Sequence, residues 1–301
     1  MRKIRTIRQK LSLPPVRLSF MAVGLSVFLF TAAVSAVMFF EFPAAIGAEK
    51  ELPIYSVERR DKAVALTFDC AWGDEHMEAI LDTLDQHGAK ATFFVVNYWA
   101  EKYPDMVKEL ASRGHEIGSH STTHPDLATL PKETIQKEIG TVEETVEKLT
   151  GRKTALLRPP FGSYNNTVMD AANAMGYQVI QWSLDSLDWK SLTAEQIVDR
   201  VTRNVRPGAI VLFHNNAEHA EEYLPLILDK LQSEGYEILP VGQLIYAKDY
   251  HMDRTGRQIY DGTEEPEGHG GGLEEPRGEA GVTGPGAVGE SMEKDSETKV
   301  R

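Results

Sequence analysis

The 301-residue chain has one cysteine, Cys70. A single thiol excludes a disulfide within the chain and any cysteine-only zinc site. Positive charge is also scarce, with 32 Lys and Arg against 45 Asp and Glu, a formal net charge of −13. Phosphate recognition needs clustered Lys and Arg, so nucleic acid is excluded as a partner. No internal repeat is visible, which excludes a solenoid or propeller. What is present is a 42% hydrophobic fraction, enough for a sizeable core.

That average hides two atypical ends. The first 17 residues carry Arg2, Lys3, Arg5, Arg8, Lys10 and Arg17 and no acid. Leu18 to Phe40 then runs uncharged. At 1.5 Å per residue it makes roughly 34 Å of helix, enough to cross a bilayer core. The basic flank keeps residues 1–17 in the cytoplasm, so 18–40 reads as a transmembrane signal-anchor with the bulk of the chain outside. Cleavage near Ile46-Gly47-Ala48, giving a secreted protein, is the competing reading. Residues 41–61 read as a linker. At the other end, 247–301 has no apolar periodicity and is rich in Gly, Pro and Glu, so it reads as a disordered acidic tail.

Residues 62–246 form one domain's worth of chain between these ends. Short apolar runs predict strands at Val64–Asp69, Ala91–Val96, Glu116–Ser121, Ala155–Pro159, Gln178–Asp185, Ala209–His214 and Tyr236–Pro240. Amphipathic stretches predict helices at Glu101–Arg113, Lys132–Thr150, Ala194–Val205 and Glu221–Ser233, with Thr193 as a cap. About seven βα units indicate a parallel α/β sheet, open or closed into a barrel.

Chemistry in such folds gathers where strands end. Five apolar runs stop at reactive residues: Asp69-Cys70, Ser119-His120 through His124, Arg158-Pro159-Pro160-Phe161, Asp185-Ser186-Leu187-Asp188-Trp189, and His214. Taken with Thr67-Phe68 and Leu212-Phe213, they resemble the five ordered motifs of the polysaccharide deacetylase family, the NodB-homology carbohydrate esterases. The resemblance spans about Lys62 to Tyr246. It implies a distorted (β/α) barrel and metal-dependent hydrolysis of N-acetyl groups on amino sugars. The Phe68-Asp69-x-x-Trp72-Gly73 opening looks most like the subgroup of sporulating Gram-positive bacteria.

Within that resemblance Asp69 is the expected general base and Arg158 its partner. His214 is the expected general acid, held by Asp188, with Asp185 second in that task. His120 and His124 are expected to hold a divalent metal, most simply zinc. Trp189, Leu212, Phe161 and Tyr164 would form substrate-binding surface. One position departs from the pattern: the family's second motif-one aspartate, a metal ligand, is Cys70 here. Cys70 could ligate as a thiolate, Asp74 or water could take its place, or the site could have lost affinity for metal. The implied function is a membrane-anchored extracytoplasmic deacetylase of cell-wall glycan, such as peptidoglycan or a chitin-like oligosaccharide. Its alternatives are an inactive glycan-binding homologue and a glycosidase using Asp69 with Asp185 or Asp188. The expected partners are that glycan and, through 18–40, the lipid bilayer.

Overall fold

The computed structural model describes residues 50–262. The expected cytoplasmic stub and membrane span lie outside the described residues, as does 263–301. Among the described residues no helix is long and apolar enough to cross a membrane.

Among the described residues eleven strands occur in chain order: β1 (Ser56–Val57), β2 (Ala63–Cys70), β3 (Thr92–Val95), β4 (Glu116–Ser119), β5 (Leu156–Leu157), β6 (Gln178–Val179), β7 (Leu184–Asp185), β8 (Ile210–His214), β9 (Glu237–Ile238), β10 (Tyr250–Met252) and β11 (Arg257–Tyr260). The main sheet runs β6-β5-β4-β3-β2-β8-β7, with β9 also on β2. Every pairing in it is parallel. The two outer strands, β6 and β7, are nearly consecutive in sequence, so the row curls into an incomplete barrel. The segment from Ile54 into β1 closes the gap. Ile54 bridges to Ile180, and Ser56 bridges to Ala209.

The expected single strand Gln178–Asp185 is therefore two strands. Its middle, Ile180 to Ser183, turns from one edge of the barrel to the other, where Gln181 N–H donates to Ile54 O and Ser183 N–H to Ile210 O. The expected Glu101–Arg113 helix is likewise divided. Asn97–Lys102 and Pro104–Ser112 are separate helices, because Pro104 has no N–H and opens the second one at its first turn. Lys132–Thr150 ends at Gly151 in the left-handed conformation, as the sequence suggests. The Ala194–Asn204 helix carries a full capping box between Thr193 and Gln196.

The expected disordered tail and linker need correction where they are described. Residues 250–260 fold back as β10 and β11, and β11 pairs with β1. Gln258 is fully buried. Its amide donates to Tyr246 O at 3.0 Å and accepts from Tyr246 N–H at 2.9 Å. Asp253 Oδ1 holds the turn by accepting from the N–H groups of Thr255 and Arg257. Side chain to backbone hydrogen bonds, not apolar alternation, order this segment, so its polar composition concealed it.

Strand β2 is buried along its whole length and divides the core. Val64, Leu66, Phe68 and Cys70 face a cluster shared with the surrounding helices. Ala63 and Ala65 face the barrel interior with Ile54, Phe94, Leu156 and Ile210. Side chains alternate along a strand, so the next two interior positions are Thr67 and Asp69, where the filling turns polar. Gly118 on β4 fits because a Cβ there would lie 2.6 Å from the Phe94 ring.

Candidate active site

Asp69, at the end of β2, is 7% exposed, and Arg158, just after β5, is fully buried. One guanidinium nitrogen of Arg158 donates to Asp69 Oδ1 at 2.8 Å and to Thr67 Oγ1 at 2.8 Å. The other donates to Gln181 O at 3.2 Å. The guanidinium also lies 4.2 Å from the Phe94 ring centroid. Burial pushes the Asp69 carboxyl up, but the Arg158 guanidinium above all outweighs it, with the His214 ring adding to it, and the pKa lies below the ordinary carboxylate range. Asp69 is therefore an ionised base.

A second pair stands at the ends of β7 and β8. Asp188 Oδ1 accepts from His214 Nδ1–H at 2.8 Å, and Oδ2 accepts from His214 backbone N–H at 2.8 Å. Tyr223 O–H donates to Oδ2 at 3.1 Å. Burial lowers the His214 pKa, but the Asp188 hydrogen bond and charge outweigh it and the net direction is up. With Nδ1 committed to Asp188, Nε2 is left for the cleft. Leu187 takes φ 59°, a costly conformation for a branched side chain. Its N–H is held by Asp185 Oδ1 at 2.8 Å, so Asp185 shapes the loop that carries Asp188. Asp188 accepts three hydrogen bonds, which leaves it unsuited to act as a glycosidase acid.

The loop after β4 brings the two expected metal histidines together, with ring centroids 4.9 Å apart. Ser121 and His124 both have positive φ. Glu138 holds this strained turn by accepting from Thr122 N–H at 2.8 Å and Thr123 N–H at 2.9 Å. His120 Nδ1–H donates to Arg158 O at 2.7 Å, which directs Nε2 toward Asp69 Oδ2, 3.5 Å away. Burial lowers the pKa of both rings, that of His124 to about 4. Both are neutral imidazoles, the form that binds metal.

Asp69, His120, His124, Asp188 and His214 line a cleft of ≈ 580 Å³ with Trp72, Phe161, Trp182, Asp185, Trp189 and Leu212. Phe161, Trp189 and Leu212, three of the four expected substrate-binding residues, thus line the cleft. Tyr164 does not line the cleft. It packs against the Leu127 cluster, with its hydroxyl 3.5 Å from that of Tyr55. Asp74 is also outside the lining. His219 is exposed and bonded to Glu222.

Sequence reasoning missed Thr67, Glu138, Trp182, Asn215 and Tyr223. The first stands two before Asp69 on a strand of period two and was available to that argument. The others depend on long-range contacts.

The chain matches the polysaccharide deacetylase family over residues 56–180. It is 32% identical over 208 residues to peptidoglycan-N-acetylmuramic acid deacetylase PdaA of Bacillus subtilis, covering 68% of this chain and 79% of that one. It is 35% identical over 191 residues to a peptidoglycan-N-acetylglucosamine deacetylase of Bacillus cereus, covering 62% and 70%. The chain belongs to the polysaccharide deacetylase family. Family members named among its relatives are hydrolases of N-acetyl amide bonds. Among solved structures it resembles a CE4 family pseudoenzyme from Bacillus anthracis, with TM-score 0.62 and 31% identity over 69% of this chain and 70% of that one. A mutant of that pseudoenzyme with restored enzymatic activity matches equally well, with TM-score 0.62 and 32% identity over 69% and 72%.

For a polysaccharide deacetylase the donor set here is short by one. A catalytic zinc takes three protein ligands. His120 and His124 are two. Cys70 is not a third: its side chain lies in the outer core cluster, fully buried, with Sγ 3.8 Å from Phe68 O. Burial and the Asp69 charge push its thiol pKa well up, so it stays protonated. No group of three or more His, Cys, Asp or Glu able to hold a metal occurs among the described residues. The residues present do not make a three-ligand site.

Proposed function

We propose that this protein is a membrane-anchored, extracytoplasmic deacetylase that removes N-acetyl groups from amino sugars of peptidoglycan. The observation that carries this reading is the pairing of an ionised Asp69 with a proton-bearing His214 in one cleft. Amide hydrolysis needs a base for water and an acid for the amine. Asp69 takes a proton as the water oxygen attacks the acetyl carbon. His214 Nε2–H then protonates the nitrogen as the C–N bond breaks, giving acetate and a free amine. Arg158 holds Asp69 ionised, and Asp188 keeps the His214 ring turned and charged. Leu212 and Trp189 border the place for the acetyl methyl group.

The zinc expected from the sequence finds two of its three protein ligands, so the steps above rest on this chain's own groups. The relatives' named substrates support peptidoglycan. The uncharged run of residues 18–40 after a basic stub supports the anchor and an outward-facing domain. The motif-one opening supports a role in sporulation.

The missing ligand and the likeness to a pseudoenzyme favour a second reading, a glycan-binding homologue without turnover. The full chain in detergent, incubated with acetylated wall fragments and with and without added zinc, decides between them. Free acetate above that of an Asp69→Asn control is expected. Binding without acetate would establish the second reading, and reducing-end release would establish a glycosidase. Protease access to the C-terminal domain in intact cells tests the topology.

A further inference from the structure

The Phe68-Asp69-x-x-Trp72-Gly73 opening contributes Asp69 to the chemistry, but its Trp72-Gly73 half has so far had no task. Large hydrophobic side chains on the described surface are few, and their placement is uneven. Of the five that are exposed, three line the cleft: Trp72 and Trp189, each 58% exposed, and Phe161, 71% exposed. Apolar surface gathered at one place marks a binding site, whereas scattered residues do not.

Trp72 is also held in place. Gly73, at φ +65°, makes the turn that a side chain would strain. Gly73 O accepts from Trp99 Nε1–H at 2.6 Å and from Asn215 Nδ2–H at 2.7 Å. The Asn215 amide also donates to Trp72 O at 3.2 Å, and its backbone N–H donates to Asp69 O at 3.2 Å. Asn215 is fully buried, and its Oδ1 has no hydrogen-bond partner in the protein. A buried amide with an unanswered acceptor is unfavourable. The fold accepts that cost and directs both donors at the loop that carries an exposed indole. Trp72 meets His124 edge-on at 5.4 Å between ring centroids, and His124 meets Phe161 edge-on at 4.7 Å. The three rings make one aromatic wall running outward from the reacting groups.

We propose that Trp72 is a sugar-stacking residue for the ring next to the one deacetylated, and that Asn215 is its positioning residue. The occupant is a neutral pyranose, whose C–H face suits an aromatic ring. This rests on the glycan reading of the cleft but not on turnover. Asn215 adjoins His214 in sequence and its backbone N–H is bonded to Asp69 O, so one buried residue ties the loop of the stacking ring to both reacting residues.

The test is calorimetric binding of N-acetylglucosamine dimer and tetramer to the full chain in detergent. Trp72→Ala is expected to raise the tetramer Kd roughly 10-fold, about 1.4 kcal/mol, with a smaller effect on the dimer. Trp72→Phe restores it to within about threefold of wild type, since a ring is kept. Asn215→Leu weakens tetramer binding too, and combined with Trp72→Ala it adds nothing further, because both act through one ring. Unchanged tetramer binding in Trp72→Ala, equal losses for dimer and tetramer, or additive effects of the two substitutions would each overturn the proposal. So would a wild-type chain that binds no tetramer. Trp72-dependent binding without acetate release would refute the hydrolytic reading alone.

Discussion

Asp69 and Cys70 are neighbours in sequence and occupy different regions of the molecule. Asp69 faces the inside of the barrel, where Thr67, Arg158 and His120 make a polar, charged environment. Cys70 faces outward with Phe68, beneath the helices, in an apolar one. The same burial has opposite consequences. On the inside it is outweighed by a guanidinium and leaves an ionised base. On the outside nothing opposes it and the thiol stays protonated. A strand's period of two is enough to separate chemistry from packing within one peptide unit.

That contrast is open to direct attack. Inner-face substitutions should remove activity and spare the fold. Asp69→Asn, which keeps an acceptor for Arg158, is expected to reduce acetate release by about 10²–10⁴-fold while far-UV circular dichroism is unchanged. Collapse of the fold instead would make Asp69 a structural residue. Outer-face substitutions should do the reverse. Phe68 stacks on Phe93 and Phe213 at 5.0 and 5.5 Å between centroids. Phe68→Ala should cost about 3–5 kcal/mol in denaturant unfolding, with little change in turnover per folded molecule.

A smaller effect comes from the second inner pair. Asp188 raises the His214 pKa, so the acid form persists to higher pH than in a free imidazole, whose pKa is ~6.5. Activity should fall as pH rises through that raised value. Asp188→Asn should move the falling limb to lower pH and reduce kcat about 10-fold. The sign for stability is the same: the pair's contribution is complete below ~6.5 and lost as pH rises through the folded pKa. An unmoved limb would exclude His214 as the titrating acid.

Cys70→Ser is expected to have the smallest effect. Zinc content, read by mass spectrometry after dialysis, should match wild type, and stability should fall by about 1–3 kcal/mol for a buried hydroxyl. Loss of zinc would return Cys70 to the metal.

The five motifs were legible because each is a short polar interruption after an apolar run, a purely local signal. The roles expected of Asp69, Arg158, Asp188 and His214 came from the family resemblance that those motifs carry. Three things were not legible. The Gln178–Asp185 run looks like one strand because its residues suit a buried strand throughout; only barrel closure by Ile54 makes it two. The β10–β11 hairpin is held by Asp253 and Gln258, whose donors and acceptors are backbone groups with no sequence signature. The clamp on the His120–His124 loop comes from Glu138, 14 residues downstream of His124, which looks like any solvated helical glutamate.

Sequence by itself determined the parallel α/β class and the order of reactive residues, since these depend on local pattern along the chain, and those ordered motifs carry the resemblance to the family. Tertiary structure decided which of them meet. Local pattern specifies that a strand ends in Asp-Cys, but the direction each side chain takes depends on which face the helices cover. That covering placed the one cysteine in the apolar layer, away from the two histidines, which have no third ligand among the described residues. It also used Asn215 to hold an exposed tryptophan at the mouth of the cleft.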